Sequence, residues 1–403
     1  MTMKNTYTFS PESKSYLFKG LILGIVIFVI GLISSLNGDV PLKILIVSNL
    51  YTVALYALWI GITALFFLSA CTLALGAWHV QIQKVILSIA GVIPYAIGLM
   101  AVIFLFFSKD LFMWMHSDVF DPESANYDAL VATKEAYLNP VRFWVTTVIL
   151  FAVTYVLNHV WNKNINSMDD NPSILIFDKS RAIAAVTIVI VAMGVNTFGT
   201  WDWAMSIQPH WYSTMYSWYL MASAAVGMLS ILFILLAYLK KNDYLPNVNE
   251  NHRHDVSKYI FAISVFWTYV WFAQFMLIWY ANIPEETLYF SIRIGSYPVM
   301  FYLALVINFI LPFLVLMKRN SKRMVVPGLV ISALLIIGHW MDFFSMIVPQ
   351  LLPNGGGMGL ISVGLFVIIA SAYGYITLTT LSKYKDLESS THPYYKESYN
   401  HQI

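Results

Sequence analysis

The stretch Val325-Val-Pro-Gly-Leu-Val-Ile-Ser-Ala-Leu-Leu-Ile-Ile-Gly-His339-Trp-Met-Asp342-Phe-Phe-Ser-Met-Ile347 decides the fold. A helix needs ~20 apolar residues to cross the roughly 30 Å hydrocarbon layer. This one is long enough, and its ionisable groups are a single histidine and a single aspartate. Nine further stretches of the kind occur, at 16–36, 44–75, 84–107, 140–162, 180–205, 212–239, 256–281, 290–317 and 359–382. Polar or Pro/Gly-bearing breaks such as Asn37-Gly-Asp39, Leu245-Pro-Asn247 and Pro353-Asn-Gly355 separate them. Composition agrees: 59% of the 403 residues are apolar and 11% charged, against roughly 45–50% and ~25% in soluble domains. The sequence predicts an all-α membrane protein of about ten spans, a single polytopic domain over residues 1–403.

Several classes are excluded. A net charge of +2 gives no basic field for a phosphate backbone, so no nucleic-acid partner is expected. One cysteine, Cys71, rules out disulfide frameworks, multi-thiolate zinc sites and self-ligated iron–sulfur clusters. There is no Cys-x-x-Cys-His for covalent haem and no phosphate loop for ATP-driven transport. No metal site of the chain's own is expected.

Charge sets the expected topology. Of the 23 Lys and Arg residues, only Lys43, Lys109, Lys134, Arg142 and Arg293 fall on the side opposite the termini. The positive-inside rule then places both termini in the cytoplasm. Segment 1–15 becomes a cytoplasmic N-terminal segment and 383–403 a cytoplasmic tail too small for a domain. Loop 108–139 is extracytoplasmic and acidic; it reads either as a solvated loop or as a docking face for a partner. The first span is too apolar and long for a removed signal peptide.

Ionisable groups inside spans are costly and usually face the bundle interior. Here they gather at one depth. Asp202 ends span 5, His210 lies in the short turn after it, and Gln274 is in the outer third of span 7. Glu285 and Glu286 cap the next turn, and Arg293 opens span 8, where it is expected to pair with one of them. His339 and Asp342 sit roughly 12 and 8 Å from the outer end of span 9; three residues apart, they share a helix face. The inner half offers hydroxyls such as Thr187, Ser264 and Ser332 but almost no acids. A site near the outer face is favoured over a complete proton wire. Proton-handling candidates are His339, Asp342, Asp202 and His210. Trp201, Trp203, Trp211 and Trp340 read as interfacial belt or as an aromatic wall for a flat ring such as a quinone. Gly199-Thr-Trp-Asp202 in span 5 echoes Gly338-His-Trp-Met-Asp342 in span 9 four spans later. That suggests two four-helix bundles, spans 2–5 and 6–9, flanked by spans 1 and 10.

Two runs carry a resemblance. Asp202-Trp-Ala-Met-Ser-Ile-Gln-Pro-His-Trp-Tyr-Ser-Thr-Met and Gln274-Phe-Met-Leu-Ile-Trp-Tyr-Ala-Asn-Ile-Pro-Glu-Glu286 resemble the NrfD/polysulfide-reductase membrane subunits. The likeness is to those of bacterial alternative complex III, a quinol:cytochrome c oxidoreductase, and nearer to the second, smaller paralogue. The resemblance implies a respiratory-chain subunit that anchors an extracytoplasmic iron–sulfur protein and multi-haem and mono-haem cytochrome c subunits. It also implies a paralogous NrfD-like membrane subunit and lipids as partners, with menaquinol or ubiquinol oxidised near the outer face. Haem c and iron–sulfur clusters would belong to the partners. Such a chain acts as an enzyme only as part of the complex. Three readings stay open: a quinol-site or proton-handling subunit, a purely structural scaffold, and a stand-alone secondary transporter.

Overall fold

A computed structural model describes residues 6–171, 173–388 and 390–402. Residues 1–5 of the N-terminal segment, with Lys4, lie outside them. Among the described residues there is no strand, and ten helices are long and apolar enough to cross a membrane. These are span 1 (Pro11–Ser35), span 2 (Leu42–Leu73), span 3 (Ala77–Leu111), span 4 (Pro140–Asp170) and span 5 (Ile174–Ile207). Span 6 (Tyr216–Lys241), span 7 (Glu250–Ala281), span 8 (Pro298–Leu316), span 9 (Val325–Leu351) and span 10 (Leu360–Leu381) follow. Local chemistry sets several starts. Ser10, Asn139 and Ser173 cap spans 1, 4 and 5 with side-chain oxygens, and Pro11 and Pro140 occupy the first turns. Asn249 opens span 7, and Asn282, left-handed at φ 49°, closes it.

Span 2 is apolar all round, and 89% of its most hydrophobic window is buried, as such a helix must be. Spans 3, 4 and 5 gather on it as one bundle. Span 6 packs on spans 7 and 9, and span 8 packs on 7 and 9, completing the second bundle. Span 2 meets spans 6 and 9 between the two. Spans 1 and 10 lie against each other at the edge, with span 10 touching spans 2 and 3.

With ten spans, both termini fall on one face, here the terminal face; Thr6 Oγ1 donates to the Lys385 carbonyl across it. The opposite, distal face carries loop 108–139. That loop is folded down: Trp114, fully buried, donates its indole N–H to the Ser206 carbonyl at 2.9 Å. The tail is no loose end either. Lys84, fully buried in span 3, meets Asp169 at 2.7 Å and the Asp386 carbonyl at 2.7 Å. A lysine so buried needs such partners, and the tail supplies carbonyls for it.

Span 8 begins later than its hydropathy suggests. Pro284–Ser296 is a separate helix, broken from Pro298 at Tyr297, φ −129°. The ring of Pro298 pushes the residue before it out of the helical region. Arg293 therefore ends this short helix and does not open the span. π-Turns interrupt two of the spans, Ile190–Val195 in span 5 and Val306–Ile310 in span 8.

Candidate functional site

Span 9 carries two polar groups into an apolar interior, and spans 6 and 7 meet them. Asp342 is 1% exposed. Its Oδ2 accepts from Ser223 Oγ at 2.7 Å and from Trp267 Nε1 at 2.8 Å, and its Oδ1 accepts from the Tyr219 hydroxyl. Tyr219 and Ser223 are four apart, so one face of span 6 offers both hydroxyls. His339 Nδ1 lies 2.9 Å from the same Ser223 Oγ and 4.0 Å from Asp342 Oδ2, so the serine bridges them. Ser223 has one proton. Given to Asp342, it leaves the serine oxygen to accept from His339, placing the neutral ring's proton on Nδ1. Both hydroxyls can turn from donating to accepting. The carboxyl can thus carry a proton while keeping its partners, and Ser223 would then donate to Nδ1 instead. A proton change at Asp342 is relayed to His339.

The cluster has polar neighbours on both sides. Toward the distal face, Tyr219 borders a cavity of about 10 Å³ shared with Gln274, Tyr289 and Arg293, close to the minimum for one water. Toward the terminal face come His339 Nε2, Asn308, Ser264, Ser332 and Ser230, buried polar atoms without a protein partner. Asn308 lies in the π-turn of span 8, against the backbone beside His339: a Cβ at Gly338 would sit 2.1 Å from its Oδ1. Buried polar groups are nearly always hydrogen-bonded, often by water, so each of these atoms is a place for hydration.

Arg293, 2% exposed, does not pair with Glu285 or Glu286. Glu285 is exposed and Glu286 half-exposed in the first turn of Pro284–Ser296, where the helix dipole favours them. Arg293 donates to the carbonyls of Ser345 at 2.8 Å, Tyr289 at 2.6 Å and Met346 at 3.2 Å. The cause is Pro349, inside span 9. It has no N–H for the Ser345 carbonyl four residues earlier, and the guanidinium fills that place.

Asp202 belongs to a different cluster. Arg142, in the first turn of span 4, grips both its oxygens at 2.8 and 3.0 Å, and the Tyr137 hydroxyl adds a bond at 2.9 Å. Two donors from one guanidinium hold a carboxylate firmly in place. His210 pairs with Asp128 at 2.5 Å on the distal surface, fastening loop 108–139 to the turn. The aromatic candidates divide as well. Trp203 is buried in the first bundle, its N–H on Thr147 at 3.0 Å, and Trp340 stacks on Phe366. Trp201 and Trp211 line a common pocket. So of the residues singled out from sequence, His339, Asp342, Gln274 and Arg293 come together around Tyr219; Asp202 and His210 do not join them.

Sequence reasoning missed Tyr219, Ser223 and Trp267, the partners of Asp342, and Arg142, the partner of Asp202. The Tyr219-x-x-x-Ser223 spacing was a usable signal for the first pair. No family model matches the chain, and no curated protein matches it in sequence.

Proposed function

We propose that this chain is an integral membrane subunit of a bacterial respiratory quinol:cytochrome c oxidoreductase. In this reading both termini are cytoplasmic and the distal face is extracytoplasmic. The family resemblance of the two motif runs suggests the complex. The observation that carries a role within it is Asp342: a carboxylate buried in a span, held by Tyr219, Ser223 and Trp267 and linked through Ser223 to His339. Oxidising a quinol releases protons, and a group within hydrogen-bond reach must take them. The cluster can accept a proton without losing its hydrogen bonds, and Tyr219 faces the cavity of Gln274 and Arg293. Proton handling is assigned to Asp342, with Ser223 as relay and His339 as second acceptor; haem and iron–sulfur clusters stay with partner subunits. The test is Asp342→Asn in the intact complex. Quinol turnover is expected to fall about a hundredfold, in the range of a lost general acid–base group, while subunits and haem content persist. Full turnover in an assembled variant would exclude the role.

A scaffold reading has one observation in its favour. In loop 108–139, Asp110, Asp118 and Asp128 are half-buried on side-chain partners within the chain, whereas Asp121, which accepts the Glu123 backbone N–H at 3.0 Å, Glu123 and Glu135 stand exposed. Reversing those three charges would release extracytoplasmic partners if the loop docks them, and Asp342→Asn would then be harmless.

A further inference from the structure

Where span 5 reaches the distal face, a pocket of about 260 Å³ opens between its end, loop 108–139 and the turn before span 6. Its buried, unpartnered polar atoms are the indole nitrogens of Trp201 and Trp211, and Trp211 is 1% exposed. Lys134 lines it beside them. One of its three protons goes to the Pro209 carbonyl at 2.6 Å. Burial draws its pKa below the ordinary lysine value, and Asp128 opposes this only in part. The nearby carboxylates are committed, Asp202 to Arg142 and Asp128 to His210. The pocket therefore offers donors, and it selects an acceptor that carries negative charge.

A second observation indicates what brings that charge. Val186, Val189, Met193 and Phe198 are exposed along span 5, from 41% to 69%. The π-turn Ile190–Val195 adds a residue to the helical count, which keeps Phe198 and Trp201 on the side of the earlier residues. Phe198 packs edge-on against Trp201, ring centres 5.8 Å apart. An apolar stripe of a spanning helix thus runs to the mouth of a mostly apolar pocket whose side-chain donors include Lys134 and the indoles of Trp201 and Trp211, at the depth where tryptophan and tyrosine meet headgroups. The volume is small beside the roughly 300–1,000 Å³ of pockets that enclose a whole ligand. It suits a headgroup whose chains lie outside.

We propose that this pocket seats the phosphate of an anionic phospholipid from the leaflet at the distal face, its chains lying along the Val186–Phe198 side of span 5. This assignment does not depend on the role of Asp342. The test is native mass spectrometry of the purified full chain, titrated with phosphatidylglycerol or phosphatidylcholine bearing identical chains. Phosphatidylglycerol is expected to bind at least tenfold more tightly. Lys134→Gln and, separately, Trp211→Phe are each expected to reduce that preference by roughly tenfold, one charge-assisted hydrogen bond's worth. Lys43→Gln on the same face should change nothing. Trp201→Phe, which keeps the ring and removes the donor, serves if Trp211→Phe fails to fold. Equal binding of both lipids, or an unchanged preference in the Lys134 and Trp201 variants, would overturn the proposal. So would displacement of the lipid by millimolar inorganic phosphate, which would mark a free-phosphate site, or by a quinone analogue regardless of Lys134.

Discussion

Asp202 and Arg142 share one ion pair but not one environment: the aspartate side chain is fully buried, whereas the arginine side chain keeps 22% of its exposure. Removing the arginine strands a buried charge, which costs about 3–5 kcal/mol. Removing the aspartate leaves a guanidinium that can still reach water and that keeps the Tyr137 carbonyl. Arg142→Met is therefore expected to lower thermal stability in detergent well beyond Asp202→Asn, measured by the fraction remaining monodisperse after heating. An Asp202→Asn chain that stays folded yet stops quinol turnover would move the proton role from Asp342 to Asp202. The pairing itself was not legible in the sequence. Arg142 reads as a counted charge at the mouth of span 4, and sixty residues of chain separate it from its partner. Arg293 was misread for a related reason. Its partners are backbone carbonyls, that of Ser345 freed by Pro349, and a search for opposite charge passes over backbone atoms. Asp342 and His339 were legible because a charge inside an apolar run has few explanations other than a bundle interior.

At the scale of elements, the tail makes the clearest case. His392 is 7% exposed; its Nδ1 accepts the Tyr394 backbone N–H at 3.1 Å, and its ring stands edge-on to Phe177. Burial pulls its pKa from 6.5 down to about 4. The neutral ring is the form the docked tail holds, and a proton on Nδ1 would break the Tyr394 bond. Released tail binds a proton near 6.5, docked tail only near 4. This contribution to docking is thus complete above pH 6.5 and is lost as pH falls through about 4. Amide hydrogen exchange across residues 390–402 is expected to accelerate over that window, after correction for intrinsic rates, and His392→Phe should flatten the dependence. Exchange that stays flat in the parent chain would count against the account. The spans themselves were legible from length and hydropathy. The tail's fold was not, because its partners, Lys84, Phe177 and the Met168 carbonyl, all lie on other elements.

At the scale of the molecule, the two bundles meet along span 2, while spans 1 and 10 form a pair of their own at the edge. Glycines set that pairing. A Cβ at Gly364 would lie 2.6 Å from the Phe28 nitrogen, and one at Gly31 would lie 2.6 Å from the Ile361 nitrogen. Close backbone approach through small residues is how helices associate in lipid. Gly364→Leu is expected to separate the pair and leave the bundles intact. Cysteines placed at Gly20 and Ser371, whose side chains would nearly touch, should then stop cross-linking, while the hydrogen-bonded core around Asp342 persists. Continued cross-linking in the Gly364→Leu chain would show that the glycines are dispensable.

The same pair fixes a schedule for synthesis. The first span leaves the ribosome early, and only 11% of its most apolar window is covered in the finished molecule, chiefly by a helix that has not yet been translated. At ~5–20 residues per second, the interval between the two is roughly 15–65 seconds. Through that time the glycine-faced helix stands in the bilayer without its mate, open to capture by any other membrane segment. A message that stops short of codon 360 would leave that vacancy permanent.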